Sequence, residues 1–162
     1  MASLSDPLVQ ELLHGRFIAT LGTTNPDGSI HLTAVWFRFD GEFLYIATSS
    51  RTRKGSNVKE RPQASLMVDS RDPIASRGVT CCGAVEILAG DAAHEKNMSV
   101  HRCYLSEAAL ADPRVGSVFA VWDDITIRIR PTSIFAWDMG VADKQIFGGA
   151  ISTPGYLLPQ DR

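Results

Sequence analysis

The chain has 162 residues, enough for one domain with a substantial core, and carries a formal charge of −2 with both signs spread along its length. That balance excludes the basic surplus of a nucleic-acid footprint, and no apolar run approaches the ~20 residues that span a bilayer. The start, Met1 to Asp6, lacks the features of a signal peptide, and the three cysteines fit neither a disulfide framework nor a zinc spacing. They read as small buried residues of a reduced, cytoplasmic compartment.

Asp6 before Pro7 is a helix start, and Leu8, Val9, Leu12 and Leu13 recur at helical spacing up to Gly15. Phe17 to Leu21 reads as a strand, Asn25-Pro26-Asp27-Gly28 as a hairpin turn, and Ile30 to Phe39 as its partner. Asp40-Gly41 is a second turn, which makes Phe43 to Thr48 a third antiparallel strand. After a loop and short helix ending at Pro62, Ala64 to Asp69 is a fourth strand, Ser70 to Gly78 a loop, and Val79 to Ile87 a fifth strand. Asp91 to about Ala111 has helical composition and closes at Asp112-Pro113. Val115 to Asp124 fits helix or strand. Ile125, Ile127 and Ile129 alternate with polar residues as a strand, and Ser133 to Asp138 follows as another. The pattern predicts a mainly β chain with inserted helices, an antiparallel barrel over 1–140, and a Gly- and Pro-rich tail over 141–162 that packs on a neighbour where it is ordered.

One strand is anomalous. Ile30, Leu32, Ala34 and Trp36 point one way and Val35, Phe37 and Phe39 the other, so both faces are apolar where a half-solvated strand alternates. A second sheet layer, a ligand ring and a partner subunit would each cover the extra face.

The stretch Thr48-Ser49-Ser50-Arg51-Thr52-Arg53-Lys54-Gly55-Ser56-Asn57 places hydroxyls and cations between an apolar strand and a helix. Hydroxyls, free backbone N–H groups and the positive end of a helix favour a phosphate there, and Arg53 and Lys54 add charge-assisted donors. The plain alternative is a solvated basic loop. Other chemistry is sparse. The four histidines fall in separate elements except His94 and His101, which share a helix without a third ligand and read as a solvated face, so no metal site is expected. No GxSxG elbow and no GxGxxG after a strand are present. Trp36, Trp122 and Trp137 are core aromatics or stack on a planar ligand. Any catalysis would draw on a bound cofactor, and no catalytic side chain is assigned.

Ala19 to Thr23, Asp27-Gly28, His31 to Phe37, Asp40-Gly41, Leu44 to Thr48, Arg53 to Val58, Arg61 to Ser65, Ile127 to Pro131 and Ile134 to Asp138 form an ordered series. In order and spacing it resembles the blocks of the pyridoxamine 5'-phosphate oxidase-like family, the flavin-binding split barrels. The resemblance implies a six-stranded antiparallel split β-barrel, a homodimer with shared flavin sites, and a flavin-nucleotide-binding oxidoreductase that transfers hydride through FMN. Alternatives within the same fold are a reductase using the deazaflavin coenzyme F-420 and a non-enzymatic flavin or haem carrier or sensor. The resemblance puts the phosphate on Arg53 and Lys54, with Asn57 in the same block, and further contacts on Ala47, Thr48 and Ser49. Thr33, Ala34, Val35 and Trp36 would edge the ring, and Arg128 and Trp137 would reach it from the other subunit. The basic C-terminal motif of true pyridoxamine phosphate oxidases has no counterpart after Trp137, which argues against vitamin B6 as substrate.

Overall fold

The computed structural model describes residues 2–72 and 76–158. Helix α1 (Pro7–His14) starts at the expected cap, where the Asp6 carboxylate accepts the Leu8 amide at 3.0 Å, and it buries Val9, Leu12 and Leu13. Strands β1 (Ala19–Thr24) and β2 (Ile30–Val35) form the expected hairpin, with Gly28 at a φ of 84° in its turn. The partner strand expected to run to Phe39 stops at Val35. Its continuation, β3 (Arg38–Phe39), pairs with β4 (Leu44–Thr48) at the opposite edge of the sheet. The crossing is anchored by Tyr104, whose hydroxyl accepts the Phe37 amide at 3.3 Å and lies 2.9 Å from the Phe17 carbonyl oxygen.

Helix α2 (Arg53–Glu60), strands β5 (Gln63–Asp69) and β6 (Arg77–Ala89) and helix α3 (Gly90–Tyr104) follow. Of the loop expected over 70–78, residues 73–75, including Pro73, lie outside the described residues, and Arg77 and Gly78 already belong to β6. The single helix expected over 91–111 is two, because the chain extends at Leu105 and Ser106 caps α4 (Glu107–Ala111), its hydroxyl accepting the Ala109 amide at 3.2 Å. The ambiguous stretch is helix α5 (Gly116–Trp122). The two late strands are one, β7 (Ile125–Asp138), followed by α6 (Met139–Phe147) where only a tail was expected. Pro131 accounts for the misplaced break: it has no N–H for a ladder, and the sheet accommodates it with a register shift between Cys82 and Gly83, directly opposite.

The strands form one antiparallel seven-stranded sheet in the order β2-β1-β5-β6-β7-β4-β3, so the mainly β fold with inserted helices is the one observed. Seven strands replace six because β3 separates from β2. The core of Leu12, Leu21, Ile46, Leu66, Ile127 and Ile129 fills its interior. Val35, Phe37 and Phe39 join that core, whereas Ile30 and Leu32 on the other face are 62% and 64% exposed. Cys81 is buried, which pushes its thiol up to about 12 and leaves it inert. No helix among the described residues is long and apolar enough to cross a membrane.

A β-carbon on Gly83 would overlap the Arg130 carbonyl across the bulge. Gly83→Ala is expected to cost about 1–3 kcal/mol by overpacking, read as a lower denaturation midpoint at unchanged slope. A midpoint within error of the parent would show that the β6–β7 bulge is free to spread.

Candidate functional site

The apolar strand β4 delivers Ala47, Thr48 and Ser49 to the start of α2, and the turn between them is tight. Thr52 accepts the Gly55 amide at 3.2 Å as N-cap, and its hydroxyl donates to the Ser49 carbonyl at 2.7 Å. A β-carbon on Gly55 would lie 2.6 Å from that carbonyl oxygen, so only glycine lets the helix start sit this close to the strand end. Arg53 and Lys54 therefore open the helix with amides that have no intrahelical acceptor.

Beside this start is a cleft of about 290 Å³, lined by Ala34, Val35 and Trp36 from one side and Ala47, Thr48, Ser49 and Lys54 from the other. A second hollow of about 310 Å³, almost entirely apolar, continues past Trp36 along Ile18, Ala34 and Val35. Seven of the residues singled out in the sequence thus meet at one place. Asn57 does not join them. Its amide is buried and donates to Thr23 at 3.1 Å and Asn25 at 3.0 Å, tying α2 to the first hairpin. Thr33 lies one residue short of the cleft, its hydroxyl 3.4 Å from the Ala34 carbonyl. Arg53 is exposed and does not line the cleft, and its charge is felt by the Asp27 carboxyl. Arg128 pairs with Glu86 and lies over Phe43 at 4.6 Å, and Trp137 stacks on Phe135 at 6.2 Å, so both are outside this protomer's cleft.

Four further residues line the cleft that sequence reasoning missed: Val100 and His101 from α3, Phe119 from α5, and Asp123; Trp122, read as core or as stacking on a planar ligand, lines it too. His101, expected on a solvated face, is 2% exposed, and its Nε2 is 2.9 Å from Asp123. The signal was present in part. Ala93, Asn97, Val100 and His101 share the helical spacing of a buried face, but its two polar members hid it. Trp36 is fixed by parallel stacking on Tyr104, centres 5.0 Å apart, and Phe119 tilts against it at 5.9 Å.

The charge pattern is uneven. Burial pushes the Lys54 ammonium below the ordinary lysine value, and the Asp123 carboxylate opposes that shift. Asp124 clamps the loop from outside, accepting the Ser50 amide at 2.7 Å and its hydroxyl at 2.6 Å. A half-buried cation, free helix-start amides and an adjoining flat apolar shelf suit a ligand with a phosphate at one end and a planar ring at the other.

The family model for pyridoxamine 5'-phosphate oxidase matches residues 5–135. The chain belongs to this family. No functionally curated protein matches the sequence. Among solved structures, the conserved hypothetical protein Rv2991 of Mycobacterium tuberculosis is 26% identical over 83% of this chain and 84% of its own, with a TM-score of 0.68. An F-420 reductase is 29% identical over 78% of this chain and 94% of its own, with a TM-score of 0.59. The haem storage protein HutZ of Vibrio cholerae shares the fold at 16% identity, 80% and 92% coverage and a TM-score of 0.63. The split-barrel fold of the family is thus the fold of this chain.

The Asp124 clamp yields a pH prediction. The Ser50 hydroxyl and amide hold the Asp124 carboxyl below the ordinary value, so the contact contributes fully above about pH 4 and is lost as pH falls through the lowered folded value. The Ser50 amide resonance should therefore titrate below the ordinary aspartate range, and in Asp124→Asn it should not titrate. A Ser50 amide that titrates identically in Asp124→Asn would remove the clamp from the account.

Proposed function

We propose that this protein is a flavin-nucleotide-binding oxidoreductase, with the phosphate of FMN at Lys54 and the α2 start and the ring along Ala34, Val35 and Trp36. The observation that carries this reading is the half-buried Lys54 ammonium at one end of a cleft whose other end is apolar. Bound flavin would supply hydride chemistry, while the protein's own residues bind, orient and exclude water. The likeness to an F-420 reductase supports a second reading, in which the deazaflavin coenzyme F-420 takes the same place, since it too carries a phosphate. The free cysteines support a reduced, cytoplasmic setting.

The active unit in this reading is a homodimer with shared flavin sites. Ile30, Leu32 and Phe135 are 62%, 64% and 66% exposed on the outer sheet face, beside an open groove of about 420 Å³ along Gly22, Ser65 and Met67. A contiguous apolar face of this kind marks an interaction surface, and a second copy covers it in a self-matching way. Arg128, Trp137 and the C-terminal segment then belong to the joint between copies.

Lys54→Ala is expected to weaken FMN by about 1.5–3 kcal/mol, the worth of a hydrogen bond to a charged group, and to leave weak riboflavin binding unchanged. Equal loss of both ligands would assign Lys54 to the fold instead. Titrations with FMN and F-420 in parallel decide the cofactor, and binding of neither by the parent protein rejects the reading. Light scattering at micromolar concentration should give a dimeric mass, reduced to the monomer in Leu32→Glu. A folded monomeric parent would reject the shared site.

A further inference from the structure

We infer that the hollow between the ends of α1 and α3 and strand β3 is a second anion site, which takes a small organic polyanion bearing carboxylate or phosphate groups. The inference does not rest on the flavin reading of the cleft.

The hollow holds about 290 Å³, and its floor is apolar, with Leu13, Phe37 and Phe39 at 2%, 2% and 5% exposed. Three guanidinium groups ring it, from Arg16 just past α1, Arg38 on β3 and Arg102 in the last turn of α3. Among the described residues, no carboxylate lines it. Elsewhere the chain pairs its arginines. Arg71, Arg77, Arg114, Arg128 and Arg130 each hold a carboxylate, and Arg61 donates to the Thr24 carbonyl. Among the described residues, the arginine side chains left without an oxygen acceptor are those of Arg51 and Arg53, in the loop given to the cofactor phosphate, and the three around this hollow. The acids close to Arg16 and Arg38 in sequence are committed: Glu11 to Arg77, Glu42 to Arg130, and Asp40 to the Tyr45 hydroxyl and the Glu42 and Phe43 amides. In a chain of net charge −2, three guanidiniums left together without a counter-charge mark a place for an anion supplied from outside.

Helix ends do not account for the cluster. An arginine that serves as a C-terminal cap donates to the last carbonyls of its helix. Here those carbonyls have other donors. His14 Nδ1 meets the Gln10 oxygen at 3.0 Å and the Gly15 amide the Leu12 oxygen at 3.3 Å, while on α3 the Cys103 thiol meets the Ser99 oxygen at 3.4 Å and the Leu105 amide the His101 oxygen at 2.8 Å. Arg38 spends one nitrogen on the Cys103 sulfur at 3.8 Å, a weak acceptor that leaves the rest of its fork free. A guanidinium fork takes two oxygens of a carboxylate or a phosphate, so three forks above an apolar floor suit two or three oxyanion groups on a short carbon frame.

The hollow is separate from the cofactor cleft. Val35 and Trp36 line the cleft and Phe37 to Phe39 the hollow, and on α3 Val100 and His101 line the cleft and Arg102 and Cys103 the hollow. The same two segments wall both cavities, which share no lining residue. None of the strands that form the groove on the outer sheet face lines the hollow either.

The test is calorimetric titration of the full-length protein at low ionic strength with citrate and with fructose 1,6-bisphosphate, fructose being the uncharged control. Saturable binding of one polyanion per chain is expected, with none of fructose. Affinity should fall about tenfold in Arg38→Gln and at least as far when Arg16→Gln and Arg102→Gln are combined. It should stay within a few-fold in Lys54→Ala, which weakens the cofactor end of the cleft, and in Arg114→Gln, which removes a charge elsewhere on the surface. The Cys103 amide resonance should shift as the site fills. Tighter binding of one of the two ligands supports the inference and names the group that the site prefers. No saturable binding of either ligand would overturn it. So would a loss in Lys54→Ala with the arginine variants unchanged, which places the anion in the cleft, or an equal loss in Arg114→Gln, which reduces the effect to overall charge. If Arg38→Gln does not fold, the combined variant of the two exposed arginines decides in the same way. Failure of FMN and F-420 to bind the parent rejects the flavin reading and leaves this site standing.

Discussion

The ladder between β6 and β7 is the constraint on which the rest of the molecule depends. β7 pairs along β6 from Ile125 to Asp138 and on its other edge holds β4, with Thr48 opposite Ile125. That register brings the residues before Ile125 alongside those after Thr48. Asp124 is then in reach of Ser50, and Asp123 of the cleft floor. The site is thus not assembled by the α2 loop alone. It exists because two strand ends stop at the same level, and the bulge at Gly83 keeps them there while a proline passes through the ladder.

Local chemistry was legible in the sequence and sheet-level placement was not. The Asp6 cap, the turn of the first hairpin and the hydroxyl-rich stretch from Thr48 to Asn57 each announce themselves within a few residues; the cap and the turn form where expected, whereas α2 starts at Arg53, inside the stretch read as loop. The late strands were split at Pro131 because a proline ends a strand unless a bulge faces it, and the bulge sits on another strand, about fifty residues away in sequence. Asn57 looked like a ligand contact by its position in the loop, but its amide turns to the β1 hairpin, a contact that only the tertiary fold defines. His101 and Asp123 come together from elements 22 residues apart, and no local spacing rule links them.

The cleft also differs from a plain anion cradle. Basic side chains and free amides favour an anion, yet two carboxylates stand at its edges. Asp124 is spent on Ser50, where it neutralises part of the loop's polarity and stiffens it. Asp123 shares its charge between Lys54 and His101. In the proposed reading a bare phosphate would meet a site already partly balanced, and affinity would come from the ring end as well as the phosphate end. This favours a ligand that engages the apolar shelf past Trp36 over a free anion.

The apolar surface gives the proposed dimer its physical reason. Ile30, Leu32 and Phe135 lie on strands whose inner faces are committed to the core, so turning those strands over would expose the core instead. Among the described residues, the C-terminal segment does not hide them either. Asp143 is buried and accepts the Ile151 and Ser152 amides at 3.0 and 3.1 Å and the Ser152 hydroxyl at 2.7 Å, which folds the segment back upon α6. Ile146, Phe147 and Tyr156 remain exposed on that hook. Burial stabilises by about 25 cal/mol per Å² of apolar surface, so a second copy that covers the sheet face gains further by extending over the hook. Because α6 leaves directly from the end of β7, beside Phe135 and Trp137, the two exposed areas follow one another along the chain.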